Sequence, residues 1–151
     1  MMSLYETIKN DYKQAMKQKD TNKKYLLNYI ISSIKYFEKE KGEVTDEDII
    51  SLLKKEIKNK KESIEYAEKN QDTQEVESQK KGISILENYL PEIYSYEYTK
   101  KLIEDFIKEE NIQNITKERW KIMKYLVDNY KSYLDMDTVN DILNKKINNA
   151  S

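Results

Sequence analysis

The chain has 151 residues, of which 38% are hydrophobic and 36% charged, with 27 Lys and Arg against 28 Asp and Glu. This length suits one domain or a helical layer with a small domain appended, and the balanced charge excludes a global basic field that would hold nucleic acid. Two glycines and one proline leave little material for hairpins, so the composition argues against an all-β fold and favours an all-α one.

Apolar side chains in residues 1–91 recur at steps of three and four, which predicts four helices in this segment. The second helix is expected at about 22–41 and the third at about 46–69. Packed together, the four helices would form an elongated antiparallel layer. Their ends are marked by Ser3 with Glu6 at the start of the first, Gly42 after the second, Thr45 with Asp48 before the third, and Pro91 after the fourth.

The third predicted helix has one face that is apolar at every position except one. Leu53, Ile57, Ile64 and Ala67 share this face with Lys60, whose ammonium group would lie in the core unless it met a carboxylate or the surface. We interpret Lys60 as a structural cation paired with a carboxylate of the second or fourth helix, in preference to a ligand-binding cation. The predicted core positions of the other helices are Leu4, Ile8, Tyr12 and Ala15, then Leu26 or Leu27, Ile30, Ile34 and Phe37, then Val76, Ile83, Leu86 and Leu90.

Pro91 is the strongest boundary signal, and it divides the chain into predicted domains at 1–91 and 92–151. Three short helices with apolar faces are expected after it, forming a small bundle. Their predicted starts are Ser95 with Glu97, then Thr116, then Asp135 or Asp137. Their predicted core positions are Leu102, Ile103, Phe106 and Ile107, then Ile122, Met123, Leu126, Val127 and Tyr130, then Val139, Ile142, Leu143 and Ile147.

Several residue types on which common catalytic, metal and cofactor sites depend are absent from the sequence. The chain has neither cysteine nor histidine, so it has no disulfide, no thiolate nucleophile, no zinc–thiolate site and no imidazole base. Gly42 and Gly82 are too far apart to build a phosphate-binding loop or a dinucleotide fingerprint. We therefore predict no catalytic residue, no metal site and no cofactor. No apolar stretch is long enough for a membrane span and the start lacks a signal-peptide core, which predicts a cytoplasmic protein without a membrane partner.

Four segments together resemble the YqeY family, small bacterial proteins related to the tail of GatB. GatB is the B subunit of the glutamine-dependent amidotransferase that amidates mischarged tRNA. The segments, whose order and spacing also match, are 15–20 (AMKQKD), 44–48 (VTDED), 55–64 (KEIKNKKESI) and 85–91 (ILENYLP). The resemblance implies a long-helix N-terminal part followed by a three-helix tail like that of GatB. It also implies an association with tRNA or with an amidotransferase complex.

The chain departs from the family pattern at several positions, and so resembles a divergent member. Asn28 stands where an arginine is expected, and Gln79 and Gly82 stand where acidic residues are expected. In the tail, Trp120 and Met136 replace two glycines that would allow a partner or another helix to approach closely. Because the two larger side chains block that close approach, the binding role that the resemblance implies for the tail does not follow from the resemblance alone.

The candidate RNA- or partner-binding residues lie on the third helix and in the tail. They are Lys54, Lys55, Lys58, Lys60, Lys61 and Trp120. Lys54, Lys58 and Lys61 have a structural alternative as a solvated helix face diluted by neighbouring glutamates, and Trp120 has one as a core or inter-helix anchor. The family usually has arginine at the position of Lys60, and lysine lacks its bidentate geometry. Tyr25, Tyr29 and Tyr36 share one side of the second helix, where packing against another helix is the expected use.

Three functional classes follow from these observations. The first is a non-catalytic accessory protein that contacts tRNA or another RNA and is linked to glutamine-dependent tRNA amidation. The second is a helical protein-interaction module or homodimer without RNA binding, which suits the balanced charge and the many tyrosines. The third is carbon–nitrogen ligase chemistry, to which the family is related. We do not expect this chain to catalyse it alone, because the sequence has neither a nucleophile–base pair nor an ATP-binding loop.

Overall fold

The computed structural model describes residues 2–150, which form seven α-helices, one short 3₁₀ helix and no β-strand. The all-α prediction is therefore confirmed. The elements in chain order are α1 (Leu4–Lys17), α2 (Thr21–Lys41), α3 (Asp46–Lys69), α4 (Thr73–Glu87), α5 (Tyr96–Glu109), α6 (Ile115–Tyr130), the 3₁₀ helix (Lys131–Tyr133) and α7 (Met136–Ala150).

Local capping interactions set most of the helix ends in the first half of the chain. Thr45 and Asp48 form the predicted reciprocal capping box at the start of α3. The Thr45 amide donates to the Asp48 carboxylate at 2.9 Å, and the Asp48 amide donates to the Thr45 hydroxyl at 3.2 Å. The Ser3 hydroxyl accepts a hydrogen bond from the Glu6 amide at the start of α1. Gly42 ends α2 with a φ of 87°, which glycine adopts without the steric cost that a side chain would add.

Three details of the predicted elements are wrong. Helix α4 ends at Glu87 rather than running to Pro91, because the chain tightens into turns in which the Tyr89 and Leu90 amides bond three residues back. Helix α6 is capped by Asn114 and not by Thr116, since the Asn114 side chain accepts from the Lys117 amide at 3.1 Å. Val127 is exposed and does not belong to the core.

The chain divides into two compact units between Leu90 and Pro91, and each unit has its own hydrophobic core. In the first unit α1 packs on α2 and α3 packs on α4, and contacts of α3 with α1 and α2 join the two pairs. In the second unit α7 packs against both α5 and α6. The fully buried apolar residues of the first core are Ile8, Leu27, Ile30, Ile34, Ile49, Leu53 and Leu86, and those of the second are Ile103, Ile122, Leu126, Val139, Ile142 and Leu143.

Several tyrosines of the second unit are packing residues. The Tyr94 ring stacks on Tyr133 at 5.2 Å and meets Tyr98 edge-on at 4.6 Å, and the Tyr94 amide donates to the Tyr133 carbonyl at 2.8 Å. Phe106 stacks on Tyr125 with the ring centroids 4.2 Å apart. The Tyr94 contacts with Tyr133 hold the segment before α5 against the 3₁₀ helix, and the Phe106–Tyr125 contact joins α5 to α6. Together they account for part of the high tyrosine content.

In the first unit, a hydrogen bond joins residues that are 78 positions apart in the chain. The Tyr89 hydroxyl, just after α4, donates to the Asp11 carboxylate on α1 at 2.6 Å. Burial of the hydroxyl is the main reason that the Tyr89 pKa is raised, and the bond to Asp11 adds to the shift. The bond therefore ties the end of α4 to α1 as long as the tyrosine keeps its proton.

We expect Tyr89→Phe to lower the free energy of unfolding by about 1 kcal/mol. This is the contribution of a charge-assisted hydrogen bond, reduced because the pair is partly exposed to solvent. Because the folded state raises the Tyr89 pKa, this contribution is complete below the ordinary value of 10.0 and is lost as the pH rises beyond it. Urea unfolding of both proteins at several pH values measures the difference. A difference that grows above pH 10 would contradict the assignment.

Candidate functional site

The core-facing side of α3 contains one partly buried cation, as the sequence pattern indicated. The Lys60 side chain is only 15% exposed, and its Nζ donates to the Gln79 amide oxygen on α4 at 3.2 Å. The Glu56 carboxylate, one turn earlier on α3 itself, is 3.9 Å from Nζ. The expectation of a carboxylate partner on the second or fourth helix is therefore wrong, because α3 supplies the carboxylate and α4 supplies an amide.

A glycine on α4 gives the Lys60 side chain its room. A Cβ atom at Gly82 would lie 3.1 Å from Lys60 Cε and 3.2 Å from Nζ, closer than ordinary van der Waals contact. The sequence marked Gly82 as a departure from the family pattern but not as the neighbour of Lys60. A glycine inside a helix is the signal that could have found it, since such glycines commonly mark a close approach.

A cleft with a volume of about 330 Å³ opens beside Lys60, between α2, α3 and α4. Apolar and aromatic side chains of α2 and α4 form part of its wall, and two cationic residues, Lys60 and Lys81, are among those that line it. The remaining polar lining includes one carboxylate, that of Glu56. The residues that line the cleft are Asn22, Tyr25, Leu26, Tyr29, Glu56, Lys60, Ser78, Lys81, Gly82 and Ile85.

Tyr25, Tyr29 and Tyr36 are exposed along α2, so the predicted packing of all three against another helix of the chain is wrong. Their rings border open surface, and Tyr29 and Tyr36 line a shallow groove beside Phe37 and Leu52. The pattern placed them on a shared side of α2 correctly, but it could not show that no other helix of the unit covers that side.

Three of the other four candidate lysines on α3 lie at the surface, and the fourth, Lys54, does not. Lys55, Lys58 and Lys61 are exposed, and no ion pair is formed by any of the three within residues 2–150. Lys54 is half-buried and takes part in an interaction of its own. The exposed three recur at steps of three on the helix, so they follow one side of α3 as a row of solvated charges.

Trp120 lies on the surface of α6 with 63% of its area exposed, so the interpretation of this residue as a core anchor is wrong. Lys117 and Lys124 stand one turn to either side of it on the same helix face. The Lys124 ammonium pairs with Asp128 at 2.7 Å. The surface of α6 thus presents an indole ring between two cations, and we call these three residues the α6 stripe.

Hydrogen bonds to α7 and buried apolar side chains attach α6 to the rest of the second unit. The chain's single arginine, Arg119, donates from its two terminal nitrogens to Asn144 at 3.1 Å and Asn140 at 2.9 Å, both on α7. Ile122 and Leu126 on the opposite side of α6 are fully buried. The guanidinium therefore serves helix–helix packing, while Trp120, its neighbour in sequence, projects outward.

In the part of the chain that the structure describes, no group of three or more acidic residues is arranged to hold a metal ion. Within the same range, no helix combines the length and the apolar character needed to cross a bilayer.

A protein-family model described as "Yqey-like protein" matches residues 5–147, which covers both units. No protein with a curated description matches the chain. The match includes all four segments on which the sequence resemblance depends, and it extends through the tail to include Trp120 and Met136.

Proposed function

The chain belongs to the YqeY family, and from this premise we propose that it is a non-catalytic accessory protein that binds tRNA in glutamine-dependent tRNA amidation. The relation of the family to the GatB tail supports a role near mischarged tRNA. The α6 stripe supplies a surface of the appropriate chemistry for the contact. A balanced overall charge means that any such contact must come from a local patch of this kind.

The exposure of Trp120 between Lys117 and Lys124 is the observation that carries this proposal. An indole ring at the surface can stack on an unpaired base, and flanking ammonium groups can meet the neighbouring phosphates. Unpaired bases occur in the loops and at the acceptor end of a tRNA. The expected target is therefore a single-stranded part of the tRNA and not its helical stems.

Lys55, Lys58 and Lys61 on α3 are proposed as a second, purely electrostatic contact. Their ammonium groups are exposed and form no ion pair within residues 2–150, so binding a phosphate would break no existing ion pair. Contacts of this type add affinity without reading sequence. Lys60 differs from them because its head lies in the cleft, bonded to Gln79.

Titration of the protein with deacylated tRNA across a range of salt concentrations tests the proposal. Trp120 is the chain's single tryptophan, so its fluorescence reports directly on the α6 stripe. We expect saturable quenching of the Trp120 fluorescence. The logarithm of the association constant should fall linearly with the logarithm of the salt concentration. A fluorescence signal that stays unchanged at saturating tRNA, measured beside a duplex RNA control, would refute base stacking by Trp120.

We expect the double substitution Lys58→Glu with Lys61→Glu to weaken tRNA binding and to reduce the salt slope by about 2, one for each lost phosphate contact. Because both side chains are exposed, the melting temperature should stay within a few degrees of the wild type. Lys35→Glu with Lys39→Glu on α2 is the matched control, since it changes the net charge equally. Equal weakening by the two pairs would show a general charge effect and remove α3 from the site.

One observation favours the second functional class, in which the chain binds another protein or itself. Tyr29, Tyr36 and Phe37 border a groove of about 530 Å³ on α2 with a mainly apolar lining. Exposed tyrosines are common at protein interfaces because they combine a large apolar area with a polar tip. Sedimentation equilibrium distinguishes the classes: a concentration-dependent dimer that Tyr36→Ser abolishes, without any tRNA binding, would favour self-association.

A further inference from the structure

The cleft beside Lys60 has the chemistry of a ligand site, and the proposed tRNA function does not use it. Its volume of about 330 Å³ lies at the lower end of the range for small-molecule sites, which suits a compound of about one ring. All of its lining residues belong to the first unit. Its properties can therefore be tested separately from the α6 stripe.

The Lys60 ammonium group has hydrogen-bonding capacity that the protein does not use. It carries three N–H donors, of which the Gln79 oxygen accepts one at 3.2 Å. The Glu56 oxygen lies 3.9 Å away, which is an ion pair but is too long for a hydrogen bond. A cation that is mostly shielded from water and has donors to spare favours an anionic oxygen in the cleft.

The neighbouring residues hold this ammonium group in place. The Gln79 side chain donates from its nitrogen to Glu75 at 2.6 Å, which turns its oxygen towards Lys60. The end of the Lys60 side chain occupies the space that a Cβ atom at position 82 would crowd, since such an atom would lie 3.3 Å from Lys60 Cδ. The lysine head is thus positioned from two sides and faces the cleft on the third.

Charge and shape together select the class of ligand. The cleft contains two cations, Lys60 and Lys81, and one anion, Glu56, so its net charge of about +1 matches a single negative charge. A phosphate dianion would bring its second charge near Glu56. The apolar part of the lining, from Tyr25, Leu26 and other residues, suits a flat or aliphatic body attached to the charged group.

We propose that this cleft binds a small monocarboxylate with an apolar body of about one ring, whose carboxylate lies on Lys60. Lys81 provides the second cation, and the body of the ligand lies against Tyr25 and Leu26. The Lys60–Gln79 bond persists in the complex, because the ligand uses the donors that the protein leaves free. The site is distinct from the proposed tRNA surface in both its residues and its chemistry.

Titration with benzoate, followed by the backbone amide resonances of the full chain, tests the proposal. We expect saturable shifts concentrated near Tyr25, Lys60 and Gly82, at millimolar concentrations or below. Benzamide has the same shape without the charge, and inorganic phosphate is an anion without the apolar body, so both should bind at least tenfold more weakly. Equal binding of either compound, or shifts spread over the surface lysines, would overturn the proposal.

Lys60→Met is the decisive variant, because methionine keeps the apolar stem and removes the charge. We expect at least tenfold weaker benzoate binding with tRNA binding unchanged. Lys61→Met, the adjacent exposed lysine outside the cleft, is the matched control and should bind benzoate like the wild type. If Lys60→Met does not fold, Lys81→Met tests the same site, and we expect it to bind benzoate at least threefold more weakly than the wild type. Wild-type affinity in a folded Lys60→Met or Lys81→Met protein would refute the assignment.

Discussion

Replacement of Leu53 by alanine is expected to lower the free energy of unfolding of the first unit by about 2–5 kcal/mol. The Leu53 side chain is fully buried in the core cluster that joins α1, α2, α3 and α4. Truncation removes its transfer free energy and leaves a cavity, because the other side chains of a packed core relax only in part. A loss of this size is a large fraction of the stability of a domain of about 90 residues.

Hydrogen exchange measured by mass spectrometry locates the effect of Leu53→Ala. Amides of α2 and α3 should lose protection, whereas amides around Ile103 and Leu126 should keep it, because the second core contains no residue of the first unit. Tyr66→Ala is the control on the same helix, since Tyr66 is exposed and its truncation should change stability by less than about 0.5 kcal/mol. Equal loss of protection in both units would show that they unfold together.

Trp120→Ala is expected to weaken tRNA binding by about 1–3 kcal/mol, which corresponds to a loss of about 5-fold to 150-fold in affinity. The physical reason is the loss of one base-stacking platform, while Lys117 and Lys124 keep their charges. Since the indole is 63% exposed, the same change should leave the melting temperature close to that of the wild type. Affinity is read from the anisotropy of end-labelled tRNA, which needs no protein fluorophore.

Two further variants sharpen the test of Trp120. Trp120→Phe keeps an aromatic face and should recover a large part of the lost affinity. Tyr66→Ala removes an exposed aromatic ring from α3 and should bind tRNA like the wild type. Wild-type affinity in Trp120→Ala would remove the observation on which the proposed function depends, and the exposed indole would then need another explanation. The benzoate titration of the cleft is unaffected by either outcome.

Features that depend on neighbouring residues were predictable from the sequence. The Thr45–Asp48 capping box and the Gly42 stop lie at the predicted places because capping is an interaction between residues a few positions apart. The start of α6 shows the limit of the same reasoning. Asn114 and Thr116 are both capping residue types two positions apart, and the side-chain geometry of the folded turn selects Asn114.

The candidate site residues separate into two kinds. Helical period grouped Lys54, Lys58 and Lys61 as a solvated face of α3, because side-chain direction repeats along a helix, and Lys58 and Lys61 are exposed as expected whereas Lys54 is half-buried. The same reasoning could not show that Trp120 faces outward. Aromatic residues are usually buried, and exposure depends on which sides of α6 are covered by other helices.

The amino-acid sequence was sufficient to locate the helices, the break near Pro91, the apolar face of α3 and its single cation. It was not sufficient to identify the partners of Lys60. Gln79 and Gly82 lie about twenty residues further along the chain, and their contact with Lys60 depends on the register in which α4 packs on α3. Helix formation is decided by interactions within a turn or two, whereas register is decided by how the side-chain volumes of two helices interlock. For that reason the cleft exists only in the folded chain.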